Sequence, residues 1–527
     1  MRKAKLPRLS AILGATVWLS LASAGVAPAA EPAKLYETHC LACHGPERLG
    51  ATGPALLPES FARLPKGEAA KVIASGRSGT QMPAFSTQLS ASEIATLVDF
   101  IYSPPAVSPT WGEAEIQESR HLIADPANRP AKPKYTADPL NLFVVVESGD
   151  HHATILDGDR FTPLARFATP YAVHGGPKFS PDGRYVYFMS RDGWVMKYDL
   201  YALEPVAEVR AGLNSRNIAI SDDGRVLAVG NYLPHTLVML DAADLSLLKV
   251  IPVRDARGKN TSRVSAVYQA APRHSFIVAL KDVPELWEVS YAANPPRIFS
   301  GLVHSYEKGM EEAIASETGA FPIRRTELKQ PLDDFFFDPS YRQLVGSARD
   351  GDHAVVVNLD VRREIAELAL SGLPHLGSGI SWMRDGRRVM ATPHLKDPAI
   401  TVIDMATWQP IRRIEISGPG FFLRSHEGSR YAWTDSFNGR ERDVIHVIDK
   451  EKLDVVRTLR PAPGRTAAHV EFTRDGRYAL VSIWEMDGAI VVYDAATLKE
   501  VKRIPFVRPA GKYNVYNKTR LSEGTSH

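Results

Sequence analysis

A small all-α module followed by an all-β eight-bladed propeller is the fold that the sequence predicts, and three observations predict it. From Asn141 the pattern changes to short alternating strands separated by turns, and similar segments return at roughly 40–50 residues. Before that point a compact Cys-x-x-Cys-His motif and a helix-capping signature mark a separate helical unit. The third observation is size: 527 residues, 44% hydrophobic and 23% charged, exceed the single-domain prior and can bury more than one core. The formal net charge of +3 comes without any Lys/Arg tract, which excludes nucleic-acid binding as a function class.

Residues 1–30 read as a secretory signal peptide. Arg2, Lys3, Lys5 and Arg8 precede an apolar run from about Ala11 to Ala22, and the small residues Ala27-Pro-Ala-Ala30 follow. That run is short for a membrane span, so export to the periplasm, with no span after signal removal, is expected.

Residues 31–105 form the helical module. The only two cysteines lie in Cys40-Leu-Ala-Cys43-His44. Export invites a disulfide, and a zinc half-site is also conceivable, but the adjacent histidine favours one covalent haem c. Two thiols form thioethers to the vinyl groups and His44 ligates the iron from one side. Met82, in Met82-Pro83-Ala84-Phe85, is the expected sixth ligand. Ser90-Ala-Ser-Glu93 is a capping box that opens a closing helix through Tyr102. His/Met ligation leaves no open iron position, which suits electron transfer. Residues 106–139 are proline-rich and polar, and read as a linker with His121 in solvent.

Residues 140–527 form the propeller. Phe179-Ser-Pro-Asp-Gly-Arg184, Ile220-Ser-Asp-Asp-Gly-Arg225 and Phe472-Thr-Arg-Asp-Gly-Arg477 each open a strand pair. Weaker copies begin near Asn141, Val267, Phe336, Ile380 and Ser425. The count is eight, or seven if the degenerate copy near Val267 is no blade. A blade cannot bury both faces alone, so blades stack around an axis, and Tyr513–Asn517 is available to complete the first. His174, Arg216, His375 and His469 each stand shortly before an Asp-Gly-Arg turn, which places them at the axial end of an innermost strand. Two of these imidazoles can sandwich an iron, while Arg191, Arg216 and Lys178 can neutralise peripheral carboxylates of a macrocycle.

These residues resemble the cytochrome cd1 family, through the Cys-x-x-Cys-His module, Tyr171-Ala-Val-His174, Leu373-Pro-His375 and Gly511-Lys-Tyr-Asn-Val-Tyr-Asn517. The resemblance implies a c-type cytochrome joined to an eight-bladed propeller that holds haem d1 or dihydro-haem d1 non-covalently. It also implies His174 as proximal iron ligand, and Arg191, Arg216 and Tyr232 in the pocket wall. Nitrite reductases of the family carry two distal histidines that donate protons. Here the first position reads Leu332-Asp333-Asp334 and only His375 survives, expected on the iron opposite His174. A carboxylate repels nitrite and supplies the wrong proton chemistry. The family branch that oxidises the propionate of a d1 precursor to an acrylate fits better. That step removes two electrons and two protons; His469, Asp333 and His375 are the candidate catalytic residues, the first two as bases, and haem c is the relay. Partners then include the haem d1 precursor as substrate, other d1 assembly proteins, the cd1 nitrite reductase and a periplasmic electron acceptor. A nitrite reductase with an altered distal pocket and a non-catalytic d1 carrier are the alternatives.

Overall fold

The computed structural model describes residues 31–77, 82–169, 176–299, 316–348 and 352–524, except positions 52, 62, 63, 108, 296, 300, 318 and 522, together with Met1 and Val173. The signal-peptide reading and His174 therefore fall outside the described residues.

The first module is helical for local reasons. Ser90 accepts from the Glu93 N–H while Glu93 accepts from the Ser90 N–H, the expected capping box. Helix Ala91–Tyr102 then buries Ile94, Leu97, Val98 and Ile101, which fall on one face at helical spacing. This face packs with Leu35 and Tyr36 of helix Pro32–His39 and with Ala69 and Ile73 of helix Lys66–Ser75. Cys40 interrupts the first helix, and a short turn of helix, Leu41–His44, carries the rest of the motif.

Eight four-stranded units close a ring, one of them extended to five strands by the preceding segment. The innermost strands of blades two to eight are Lys178–Phe179, Asn214–Ile220, Val264–Ala270, Leu332–Phe337, Ile380–Arg384, Leu423–Arg424 and Ala467–Phe472. The degenerate copy near Val267 is a full blade. Every large core lies between two blades: for example, Leu237 and Met239 of blade three pack on Phe276 and Trp287 of blade four. Second strands are buried along their length, as in Leu142–Glu147, and outer strands such as Gln409–Glu415 are mostly exposed.

Two expectations are corrected. Closure comes from Pro509–Asn514, which pairs antiparallel with Leu142–Glu147 as the innermost strand of blade one. The chain then turns into helix Val515–Arg520, so the closing strand ends at Asn514 and not at Asn517. Asn517 Nδ2 donates to Glu471 Oε1 at 3.0 Å and the Phe472 carbonyl at 2.9 Å, fixing that helix against blade eight. Nor is 106–139 a free tether. Helix Glu113–Glu118 buries Ile116 between blades two and three. His121–Leu122 adds a fifth strand to blade two, covering an edge that would otherwise expose unpaired N–H and C=O groups. His121 is exposed as expected, but its ring stacks over Trp194. Arg129 of this segment pairs with the buried Asp199 at 2.9 Å.

Candidate functional site

In the first module, His44 is buried and its Nδ1 donates to the Pro54 carbonyl at 2.8 Å, which leaves Nε2 as the nitrogen with a lone pair. A Cβ at position 53 would lie 2.8 Å from His44 Cε1, so only Gly53 fits there. Cys40 and Cys43 are not bonded to each other. Met82 packs into the same apolar cluster as Cys40 and Leu41, and its carbonyl receives the Arg77 N–H at 3.1 Å. Two thiols, an oriented imidazole and a thioether against one apolar core fit a covalent haem c.

The module docks on blades two and three. Leu49, Ala55 and Leu57 meet Trp111, Leu213 and Leu233, and Arg210 donates to the Leu49 carbonyl at 2.5 Å. Arg77 lies close enough to Arg191 to lower its pKa, as does Arg216, after burial as the larger cause; together they bring it to about 10.

Within the propeller the predicted residues fall into two groups. On blades three to five, Asp333 forms an ion pair with Lys281 at 2.8 Å. Lys281 and Arg263 both lie over the Tyr232 ring at 5.4 Å, and Arg191 is coupled to the same phenol. On the far side, His375 Nδ1 donates to the Phe421 carbonyl at 2.8 Å, again leaving Nε2 with the lone pair. Burial lowers the His375 pKa, with Asp334 opposing and Arg216 and Arg424 assisting. His375 precedes its strand on a loop, whereas Arg216 and His469 lie within theirs.

Phe421 and Phe422 join His375 to His469. The His375 ring packs on Phe421 with centroids 4.4 Å apart, and the His469 ring on Phe422 at 4.6 Å. Asp435 holds this pair by accepting the N–H groups of Phe421, Phe422, Phe437 and His469. Burial nonetheless pushes its carboxyl up to about 6.

His469, the candidate base, is 0% exposed, on a bulge with φ of 53°, between Phe422 and Tyr513. Burial first, then Lys512, Arg424 and Lys518, hold it well below 6.5. Among the described residues both ring nitrogens are buried without a hydrogen-bond partner, an arrangement that costs free energy unless a ligand completes it. Two other buried histidines of the propeller differ. His394 bonds the Ser371 carbonyl and Thr401 through its two nitrogens, and His426 accepts from the Gly428 N–H; both read as structural.

Sequence reasoning missed Lys281, Arg263, Arg424 and Lys512, and offered Lys178 as a partner for peripheral carboxylates. Lys178 lies 5.9 Å from the Tyr268 ring, on another blade, and burial lowers its pKa to about 8. Lys512 is 0% exposed and donates to the His469 carbonyl and, at 3.0 Å, to Ser482 Oγ. The available signal was a lone cation at an inward position of an otherwise apolar strand, as in Gly511-Lys512-Tyr513.

A small helical module with a haem c motif, docked on an eight-bladed propeller whose inner region carries buried cations and histidines, defines a two-domain cytochrome. Residues 137–302 and 314–518 match the cytochrome D1 heme domain, and residues 27–101 match the cbb3-type cytochrome c oxidase subunit III model. The chain belongs to the cytochrome d1 haem-domain family. It is 55% identical to the dihydro-haem d1 dehydrogenase of Pseudomonas aeruginosa, over 98% of this chain and 99% of that one. A solved structure of dihydro-haem d1 dehydrogenase NirN in complex with DHE superposes with a TM-score of 0.80 at 55% identity, covering 93% of this chain and all of the other. A nitrite reductase of Stutzerimonas stutzeri is 26% identical over 96% of this chain and 98% of its own length.

Proposed function

We propose that this protein oxidises dihydro-haem d1 to haem d1, converting a propionate side chain to an acrylate and passing the two electrons one at a time to haem c. The observation that carries the reading is the pair Asp333–Lys281: the position where a reductase of the family would present a proton-donating histidine holds an ion-paired carboxylate. The whole-length likeness to a dihydro-haem d1 dehydrogenase supports it. Haem c, when bound, supplies a one-electron store.

The chain's own residues then divide the work. His174 and His375 ligate the substrate iron from opposite sides. Arg191, Arg216 and Tyr232 line the pocket and meet its carboxylates. His469 accepts a proton at one of its unpartnered nitrogens. The cations that depress its pKa include Arg424, whose Nε is itself buried without a partner. A substrate carboxylate seated there cancels part of the push, so His469 becomes a stronger base only when substrate is in place. Asp333 is the second candidate base.

No helix among the described residues is long and apolar enough to cross a membrane. We place the reaction in the periplasm, on the leader-like residues 1–30. Its partners there are d1 assembly proteins, the nitrite reductase that takes the product, and an electron acceptor. The test is to incubate the purified protein with dihydro-haem d1 and, separately, with nitrite. A product lighter by two hydrogens is expected. Nitric oxide at about one turnover per second or faster, or binding of the precursor with no change in mass, overturns the reading.

A further inference from the structure

The contact between the two modules contains one group that neither the haem c site nor the funnel uses. Asp192 follows Arg191 in the turn after strand Tyr185–Met189 and packs against the cytochrome loop, where a Cβ on Gly50 would lie 3.2 Å from its own Cβ. The Gly50 N–H donates to the carbonyl of His44 at 2.8 Å, so this loop connects directly to the haem ligand. Asp192 is 0% exposed and both carboxylate oxygens are buried, with the Ser190 hydroxyl as the neighbouring polar side chain.

The apolar contact of the two modules, Leu49, Ala55 and Leu57 with Leu213, Leu233 and Trp111, is reached through the same loop, on which Gly50 touches Asp192. Arg210, with the Trp111 ring 4.7 Å from its guanidinium, is the charged group that faces it. Arg210 spends Nε on the Asp192 backbone carbonyl at 2.8 Å and Nη2 on the Leu49 carbonyl. Arg210 and the neighbouring Ser190 favour the ionised carboxylate, but burial outweighs them and pushes the group up to about 6. A carboxyl so placed is costly as an anion and sits close to its switching point at neutral pH.

We propose that Asp192 takes up one proton when haem c is reduced and releases it when haem c is reoxidised, making electron flow out of the funnel proton-linked. One electron enters the haem iron and makes the module more negative by one charge. One proton from solvent, or from the oxidation itself, converts the Asp192 carboxylate to the neutral acid and offsets that change. Reoxidation by the acceptor reverses both. The inference requires only that haem c is bound, and it stands whatever substrate delivers the electron.

The experiment is a redox titration of haem c in the intact protein at several values between about pH 5 and 8, with wild type and Asp192→Asn. In wild type the potential should fall as pH rises. The variant should hold the higher, low-pH potential with a weaker dependence. A reduced-minus-oxidised infrared spectrum should gain a protonated-carboxyl band in wild type that Asp192→Asn lacks. Equal pH dependence and an equal band in both proteins overturn the proposal, as does a wild-type potential independent of pH. If the variant fails to mature, wild type decides alone: no carboxyl band on reduction refutes the assignment.

Discussion

The cytochrome module and the propeller funnel reach a haem site by opposite routes. In the module, the residues proposed for attachment and first ligation, Cys40, Cys43 and His44, are adjacent in sequence, and the bond that orients His44 reaches Pro54, ten residues on. In the funnel, the corresponding bond from His375 crosses to Phe421 on the next blade, and Phe421 is held by Asp435. His469 is flanked by Phe422 of blade seven and Tyr513 of the closing strand. A local site depends on a few neighbouring residues. The distributed site depends on ring closure, so stability and binding should fail together there and separately in the module.

The largest effect should come from removing residues 507–527. This strips the innermost strand from blade one, exposes Leu142–Glu147 and deletes Lys512 and Tyr513. We expect a loss of at least about 4–5 kcal/mol, the range of broken core networks, and no detectable binding of dihydro-haem d1. Covalent haem c with an unchanged reduced spectrum should persist. A truncated protein that still binds the macrocycle with full affinity would erase the contrast between the two regions.

His469→Ala should slow single-turnover oxidation by about 100-fold or more, the usual share of a positioned general base, with haem c and substrate affinity preserved. The lost base lowers the plateau at saturating substrate. If only the midpoint of the concentration dependence moves, the ring serves binding and not proton transfer. The reciprocal test lies in the module: Met82→Ala should lower the haem c potential and leave macrocycle affinity untouched. An unchanged potential would place the sixth ligand elsewhere.

Acid should damage the propeller through its buried histidines. Burial depresses the His446 pKa from 6.5 to about 4, while its Nε2 accepts the Ser417 N–H at 3.2 Å. Between those values the unfolded chain binds a proton that the folded ring refuses. Stability therefore rises with pH through that window and is lost as pH falls through it, by on the order of 3 kcal/mol for this group. His446→Gln should flatten the urea-unfolding profile between about pH 4 and 6.5. A profile as steep as wild type would assign the acid sensitivity to other groups.

How much of this was legible in the sequence follows from the same contrast. Repeat spacing pointed to eight blades in order, with seven left open at the degenerate copy near Val267, because four of the copies carry an Asp-Gly-Arg turn and the others do not. The candidate ligand His44 was readable because it lies inside its own motif. What escaped depends on long-range packing. The offset of His469 before its turn located it near the axis, but not its bulge, its burial or the three cations beside it. The cation wall of Arg263, Lys281, Arg424 and Lys512 has no local signature beyond single charges in apolar strands. The segment 106–139 looked like a tether because proline and polar residues dominate it. Its docking uses side chains such as Trp111, Ile116 and Arg129, whose partners lie about blades two and three.

That docked segment supplies the smallest expected effect. Arg120 reaches Asp244 of blade three through Nη2 at 2.7 Å and the Asp244 carbonyl through Nε at 2.9 Å, with both side chains partly in solvent. If the two modules were coupled mainly by charge, breaking this pair would loosen the cytochrome. The burial pattern argues otherwise: Ile116 is 1% exposed within the core between blades two and three, and Trp111 Nε1 donates to the Arg210 carbonyl at 2.9 Å. A partly exposed pair gains little over its hydrated, separated state, so Arg120→Ala should cost about 0.5 kcal/mol, against about 2–4 kcal/mol for Ile116→Ala. Urea unfolding of the single and double variants with Asp244→Ala measures the coupling. A coupling above about 2 kcal/mol would show that electrostatics, and not the apolar contact, holds the connecting segment to the propeller.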